Sequence, residues 1–176
     1  MKKFVVITGL MLLAIGVYAQ ELNKKNTGMR VSAQIGASLD IAGKEIENVD
    51  KNLYSINLRL GLSYFIIPKI SLGAGIGLDN YQNPNTKSFP IFVDAKYYIF
   101  NARNTPFVYG TAGKLIRLSD SFQNGTMADV GIGYKFFAGD NLCLNATIGY
   151  SFRNLRNLNI TEYNSNEISL GVGIIF

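Results

Sequence analysis

The sequence predicts an all-β fold, an eight-stranded antiparallel up-and-down β-barrel. Three observations predict it. Apolar and polar residues alternate with period two in eight separate segments, as they do along strands with two different faces. Polar connections of alternating length separate these segments, a rhythm typical of consecutive hairpins. One face of the segments is almost free of charge, while the other carries glycines and charges of both signs.

The final segment, 167–176, shows the alternation clearly. Its apolar face consists of Ile168, Leu170, Val172, Ile174 and Phe176. Its other face carries Glu167, Ser169, Gly171 and Gly173, and only Ile175 departs from the pattern. A soluble sandwich can also end on such a strand. A terminal strand with one apolar face and a final aromatic residue is nevertheless what closes an outer-membrane barrel.

The other segments repeat this pattern. The predicted strands are about 29–41, 53–66, 70–79, 89–100, 106–118, 127–138, 142–153 and 167–176. Each is long enough for a tilted membrane crossing. Segment 106–118 is the least regular, and its parity is ambiguous. We expect Phe107, Tyr109, Thr111 and Leu115 to face outward, Gly110, Ala112 and Lys114 to face inward, and a bulge to lie near Ile116.

The predicted connections alternate in length. Long polar segments are expected at 42–52, 80–88, 119–126 and 154–166, and short turns at 67–69, 101–105 and 139–141. Outer-membrane barrels have short periplasmic turns and longer outer loops. The even strand number places both termini on the periplasmic side, and the long loops become the candidate recognition elements.

The distribution of charge decides which face points outward. An apolar face repeated over eight strands requires lipid or a second packed layer, and no helix is predicted to form one. We therefore predict that the glycine-bearing face lines a filled lumen. The predicted lumen ion network consists of Arg30, Arg59, Asp79, Asp94, Lys96, Lys114, Asp129, Lys135, Arg153 and Glu167. Asp40 is a further candidate carboxylate, which gives six cations and five carboxylates, a nearly balanced interior.

Outward aromatic residues are expected in two rings at the membrane interfaces. The ring near the short turns is predicted to contain Tyr64, Tyr97, Phe107, Tyr109, Phe136 and Phe176. The ring near the long loops is predicted to contain Tyr54, Phe89, Tyr150 and Phe152.

Residues 1–19 resemble a secretory signal peptide. Lys2 and Lys3 precede an apolar run from Phe4 to Val17, and Ala19 offers a small residue for cleavage before Gln20. The run is shorter than the ~20 residues of a membrane-spanning helix. Residues 20–28 are expected to form a short periplasmic leader, and residues 29–176 the barrel. Removing Lys2 and Lys3 lowers the formal net charge from +5 to +3, which is weak grounds for a nucleic-acid partner.

These features resemble the small outer-membrane barrels of the OmpA/OmpX type. The glycine- and asparagine-rich strands, with endings such as Gly171-Val172-Gly173-Ile174, also resemble the PorT-like barrel domains of Bacteroidetes. The resemblance covers about residues 28–176 and rests on pattern, not on a short motif. It implies an outer-membrane location and insertion by the barrel assembly machinery, which reads a terminal strand ending in a residue such as Phe176. It does not imply one activity.

Catalysis is not expected. The chain contains no His, which excludes Ser-His and Cys-His nucleophile systems and His-ligated metal sites. Cys143 is the single cysteine, so it forms no disulfide within the chain. No cofactor or metal site is predicted. We expect a structural or surface-interaction role exerted through the extracellular loops. The alternatives are a small-solute channel or an accessory of a transport or secretion complex, a lipid-modifying enzyme using acid pairs, and a soluble periplasmic carrier.

Overall fold

A computed structural model describes residues 26–41, 54–82, 86–117, 124–138, 142–156 and 162–176. They form eight strands: β1 (Gly28–Asp40), β2 (Tyr54–Ile67), β3 (Ile70–Gln82), β4 (Thr86–Tyr98), β5 (Thr105–Arg117), β6 (Gly125–Ala138), β7 (Leu142–Arg156) and β8 (Glu162–Ile175). The predicted signal peptide and most of the leader lie outside these ranges, as does the predicted loop 42–52. Within the described ranges, no helix is long and apolar enough to span a membrane.

Each strand pairs antiparallel with its neighbours in sequence, and β8 pairs with β1, so the sheet closes into a barrel. The main chain of Phe176 completes the closure. Its amide donates to the carbonyl of Val31 at 2.7 Å, and its carbonyl accepts from the Val31 amide at 3.1 Å. The eight-stranded antiparallel barrel predicted from the sequence is confirmed.

The strand register determines the tilt of the barrel. A path that starts at Arg30 and follows directly opposite residues passes Ser63, Gly73, Asp94, Thr111, Asp129, Ser151 and Glu167. The register between β8 and β1 returns this path to Asp40, ten residues farther along (40 − 30 = 10). Eight strands with this stagger tilt by about 40° from the barrel axis. One circuit of the barrel therefore advances the path by ten residues along β1.

Three predicted loops are shorter than expected because the strands extend into them. β3 continues to Gln82 and β4 begins at Thr86, so the expected loop 80–88 is a hairpin in which Tyr81 lies opposite Thr86. The expected loop 154–166 is mostly strand, since Asn154 pairs with Asn164. The predicted loop 119–126 is shortened at its end, where β6 begins at Gly125. The predicted regular alternation of long and short connections is therefore wrong in detail.

The described side chains divide into an apolar outward set and a polar inward set, as the alternation predicted for seven strands. β5 has the opposite parity from the one expected. Phe107 and Leu115 are buried, whereas Val108, Lys114 and Ile116 are exposed on the outward face. The pairing of β5 with both neighbours is continuous, so the bulge expected near Ile116 is absent. A register shift lies instead between Phe65 and Ile67 on β2.

Two glycines on the neighbouring strand β6 explain the parity of β5. Phe107 lies directly opposite Gly133, and Tyr109 lies directly opposite Gly131. A Cβ atom added at Gly133 would overlap the Phe107 ring, and one added at Gly131 would meet the Tyr109 hydroxyl at 2.8 Å. Each inward aromatic ring therefore fills the space that a side chain on β6 would take. Outward placement of these rings would leave that space empty, which close-packed protein interiors avoid.

Two glycines of β5 provide a matched test of its parity. Gly113 faces inward, where an added Cβ would overlap the carbonyl oxygen of Ile91 and approach Cα of Phe92 at 2.8 Å. Gly110 faces outward, and a Cβ there meets nothing within 4 Å. We expect Gly113→Ala to destabilise the barrel by about 1–3 kcal/mol, because overpacking shifts the backbone. Gly110→Ala should be neutral or stabilising by up to about 1 kcal/mol.

Urea titration of the folded protein in lipid vesicles measures both values. The chain contains no Trp, so the folded fraction is read from the migration of unboiled samples on a gel. Equal effects of the two substitutions, or a larger effect at Gly110, would contradict the observed parity.

Candidate functional site

The outer surface carries a continuous apolar band. Ten residue steps separate the outward residues Met29 and Leu39 on β1. At a rise of ~3.3 Å per residue and a tilt of about 40°, this stretch spans about 25 Å along the barrel axis. That height matches the apolar band of outer-membrane barrels. Large apolar side chains in the middle of the band are mostly open to the surroundings, for example Ile132 at 60 % and Leu170 at 56 % exposure.

Aromatic side chains lie at both ends of this band. Tyr64, Tyr97 and Tyr134 are exposed at the end that contains the chain termini, and Phe136 is half-buried there. The opposite end, called the loop end below, has Tyr54, Tyr150 and Phe152 exposed. Phe107 and Tyr109, predicted for the first ring, point inward instead. Tyr134 belongs to that ring and was missed because it lies in the middle of the predicted strand.

Buried ion pairs fill the lumen near the loop end. Arg59 pairs with Asp79, whose carboxylate also accepts a hydrogen bond from the Tyr81 hydroxyl at 3.4 Å. Arg153 is 2 % exposed, and its Nη1 lies 3.0 Å from Oδ1 of Asp129, at an angle that makes no hydrogen bond. Glu167 is buried nearby and accepts from the Ser165 hydroxyl at 3.0 Å. The structure thus brings five predicted network residues together at this end.

Two further predicted residues form a pair at the centre of the lumen. Nζ of Lys96 lies 2.5 Å from Oδ2 of Asp94, two residues away on the same face of β4. Across the barrel, Gln34 donates to the hydroxyl of Thr147 at 3.0 Å. Phe92 also faces inward from β4, where it belongs to a small buried cluster with Leu115 and Met127.

The lumen near the termini is closed by aromatic rings and two cations. The rings of Phe65, Tyr98 and Phe107 pack in series, with centroids 5.2 Å and 5.3 Å apart. Arg30 lies over the Phe65 ring at 5.9 Å, and Lys135 lies 5.4 Å from the centre of the Tyr98 ring. Both cations are almost fully buried, so the predicted inward placement of each agrees with the structure.

The last residues before β1 also enter this end of the barrel. Asn26 is 2 % exposed and accepts a hydrogen bond from Lys135. Gly28 has a φ of 73°, a left-handed conformation that glycine adopts without strain, and this turns the chain at the start of β1. Asn26 was missed from the sequence because a polar residue in a short leader gives no sign of its burial. Cys143 is also fully buried.

Lys114 is the predicted lumen residue that the structure places elsewhere. It is exposed on the outward face, because β5 has the reversed parity described above. Without it, the predicted inward set contains five cations and five carboxylates, counting Asp40 (6 − 1 = 5). With the corrected parity, the inward cations and carboxylates whose side chains the structure describes are equal in number.

Two small cavities lie in the part of the lumen that the structure describes. The larger, about 90 Å³, lies toward the loop end among Arg59, Asp94, Asp129 and Arg153. The smaller, about 30 Å³, lies among Arg30, Phe65 and Lys135. These volumes suit a few water molecules rather than an organic ligand. Among the described residues, no group of three or more His, Cys, Asp or Glu side chains is placed to hold a metal ion.

No protein-family model matches the chain, and no curated protein matches it in sequence. Solved structures do match the fold. The chain is similar to Neisserial surface protein A, with 17% identity and a TM-score of 0.53 over 85% of this chain and 98% of that one. It is also similar to the outer membrane protein OprG from Pseudomonas aeruginosa, with 11% identity and a TM-score of 0.54 over 88% and 98% of the two chains. The chain therefore has the fold of small eight-stranded outer-membrane barrels.

Proposed function

We propose that this chain is an integral outer-membrane β-barrel protein with a closed lumen, a non-catalytic role and its interaction surface at the loop end. The observation that carries the proposal is the division of side chains between the two faces. Apolar residues such as Ile132 and Val172 are exposed, whereas Arg30 and Arg153 are buried. A water-soluble barrel would be more stable with apolar residues inside and charged residues outside, since apolar area exposed to water costs about 25 cal/mol per Å². Lipid removes that cost.

The filled lumen favours a structural or surface-interaction role over a small-solute channel. The two cavities suit a few water molecules, and the packed rings of Phe65, Tyr98 and Phe107 line the smaller one. Eight-stranded barrels are just wide enough for their own side chains. An accessory role in a transport or secretion complex would therefore act through the outer surface or the loops, not through conduction.

The route to the membrane belongs to the same proposal. Residues 1–19 would direct secretion and be removed, and the strand ending at Phe176 would be read by the barrel assembly machinery. The pairing of Phe176 with Val31 supports this part, because the strand that contains the proposed signal closes the barrel. A PorT-like relationship and a Bacteroidetes source remain predictions from the glycine- and asparagine-rich sequence.

Membrane fractionation combined with gel migration tests the proposal. We expect the protein in the outer-membrane fraction, extractable only with detergent. Unboiled samples should migrate faster than boiled ones, because a closed barrel stays folded in the gel. Recovery from the soluble periplasm without detergent, with no dependence of migration on heating, would overturn the proposal in favour of a soluble carrier.

A further inference from the structure

A polar row crosses the outward face of four adjacent strands near the loop end. Lys114 on β5 lies directly opposite Thr126 on β6, Thr126 opposite Asn154 on β7, and Asn154 opposite Asn164 on β8. We refer to these four residues as the polar row. With neighbouring strands about 4.8 Å apart, the row is about 14 Å long.

Lys114 is unusual for its position. On β5 it lies between the outward residues Ala112 and Ile116, and its partner on β4 is Ile91. Among the strand side chains that the structure describes, Lys114 shares the outward face with just one other charged residue, Lys87. No described carboxylate forms an ion pair with the Lys114 ammonium. A charge within an apolar membrane face is costly, and such residues commonly contact a partner of opposite charge.

The rest of the polar row offers hydrogen-bonding groups. Nδ2 of Asn154 donates to Oδ1 of Asn164 at 2.9 Å, which leaves the second N–H of Asn154 and the amide of Asn164 for other partners. The Thr126 hydroxyl lies between these amides and Lys114. One cation followed by a hydroxyl and two amides is complementary to a phosphate joined to a sugar, because phosphate binds ammonium and sugar hydroxyls bind amides.

The surface below the row suits acyl chains. Ala112 lies opposite Ala128, and Gly110 lies opposite Ala95, so small outward side chains form a shallow depression beneath Lys114. Exposed Val93 and Val130 border it. The polar row and this apolar depression are continuous, as the headgroup and the chains of one lipid molecule would require.

We propose that the polar row binds the phosphorylated headgroup of a glycolipid in the outer leaflet, with the phosphate on Lys114 and the sugar on Thr126, Asn154 and Asn164. This inference rests on the membrane location proposed above. It adds a lipid class and a defined position on the barrel surface. A phospholipid headgroup would reach Lys114 but would make no contact with most of the polar row, which is about 14 Å long at the usual strand spacing.

The test uses the folded full-length mature protein in detergent and three probes: diphosphoryl lipid A, its enzymatically dephosphorylated form, and phosphatidylglycerol. Native mass spectrometry measures the affinity of each. We expect diphosphoryl lipid A to bind most tightly and Lys114→Gln to weaken that binding about 5-fold, the effect of one basic residue at a charged lipid surface. Lys87→Gln is the matched control and should change it less than about 2-fold, because Lys87 lies off the polar row, four residues along β4 from the Lys114 partner Ile91 (91 − 87 = 4). That is about 13 Å, which exceeds the ~8 Å screening length at physiological salt.

Two more variants separate the parts of the site. Lys114→Arg should retain binding, since it keeps the charge. Asn154→Ala combined with Asn164→Ala should weaken lipid A binding but leave phosphatidylglycerol binding unchanged. Equal effects of Lys114→Gln and Lys87→Gln, or equal binding of phosphatidylglycerol and lipid A, would overturn the inference. If the variants fail the lipid-binding predictions but still migrate faster unboiled than boiled, the lipid inference is wrong and the membrane proposal stands. If the wild-type protein shows no heat-dependent migration, both the membrane proposal and the lipid inference are wrong.

Discussion

Replacing Arg153 with methionine is expected to lower the free energy of unfolding by about 3–5 kcal/mol, because it leaves buried carboxylates without their cation. Arg153 is 2 % exposed and forms an ion pair with Asp129. Its guanidinium also interacts electrostatically with the carboxylates of Asp79 and Glu167. One side chain therefore compensates the charge of three largely buried acids.

The design of this experiment depends on two comparisons. Arg59→Met is the matched control, since the Arg59 side chain is 15% exposed and pairs with Asp79 alone among the described carboxylates. We expect its effect to be about half as large, because partial solvation screens the remaining charge. Asp129→Asn in the Arg153→Met background should restore about 1–2 kcal/mol, since it removes one of the uncompensated charges.

Urea titration in vesicles with the gel readout measures these differences. A loss below about 1 kcal/mol for Arg153→Met would mean that the lumen charges are fully solvated, as in a water-filled channel, and do not depend on each other in a closed interior. The same result would also weaken the argument for a closed barrel.

The alternation of apolar and polar residues was sufficient to predict all eight strands and the inward faces of seven of them. Arg30, Asp94 and Glu167 all lie where period-two counting placed them. The prediction succeeded because most apolar residues of each of these strands lie on one face. A register slip by one residue would move every side chain of the strand to the wrong face, so such patterns specify the orientation strongly.

β5 could not be oriented from its own residues because large apolar side chains occupy both of its faces. Val108 and Ile116 compete with Phe107 and Leu115 for the outward direction. The information that decides between them lies on β6, where Gly131 and Gly133 leave room for the rings of Tyr109 and Phe107. Pairing an aromatic residue with the glycine directly opposite is thus the signal that could have oriented β5, once β6 had been aligned with it.

Strand ends were underestimated for a related reason. Asn80, Gln82, Asn154 and Asn164 are polar residues that occur often in loops, so the segments that contain them were predicted as loops. Their backbone groups nevertheless continue the ladders of β3, β7 and β8. These strands extend beyond the apolar band, where outward polar side chains face water or lipid headgroups. In that region, residue type does not distinguish a strand from a loop.

Ile132→Arg is the substitution that separates a lipid-embedded barrel from a soluble one. Ile132 is 60 % exposed in the middle of the apolar band on β6. In a membrane, arginine at the midplane of a barrel costs about 2–4 kcal/mol. On a water-soluble barrel the same change would place a charge in solvent and would alter stability by less than about 0.5 kcal/mol. The two environments therefore predict effects of clearly different size.

Thr126→Arg is the matched control on the same strand. Thr126 is outward and exposed, but it lies six residues nearer the loop end (132 − 126 = 6), beyond the middle of the band. In lipid, its cost should fall to about 0–1 kcal/mol, because charges near the interface reach water. The difference between the two substitutions measures depth in the bilayer, independently of the lumen. Equal small effects in vesicles would mean that Ile132 faces water, and a membrane-facing assignment of the apolar surface would then be wrong.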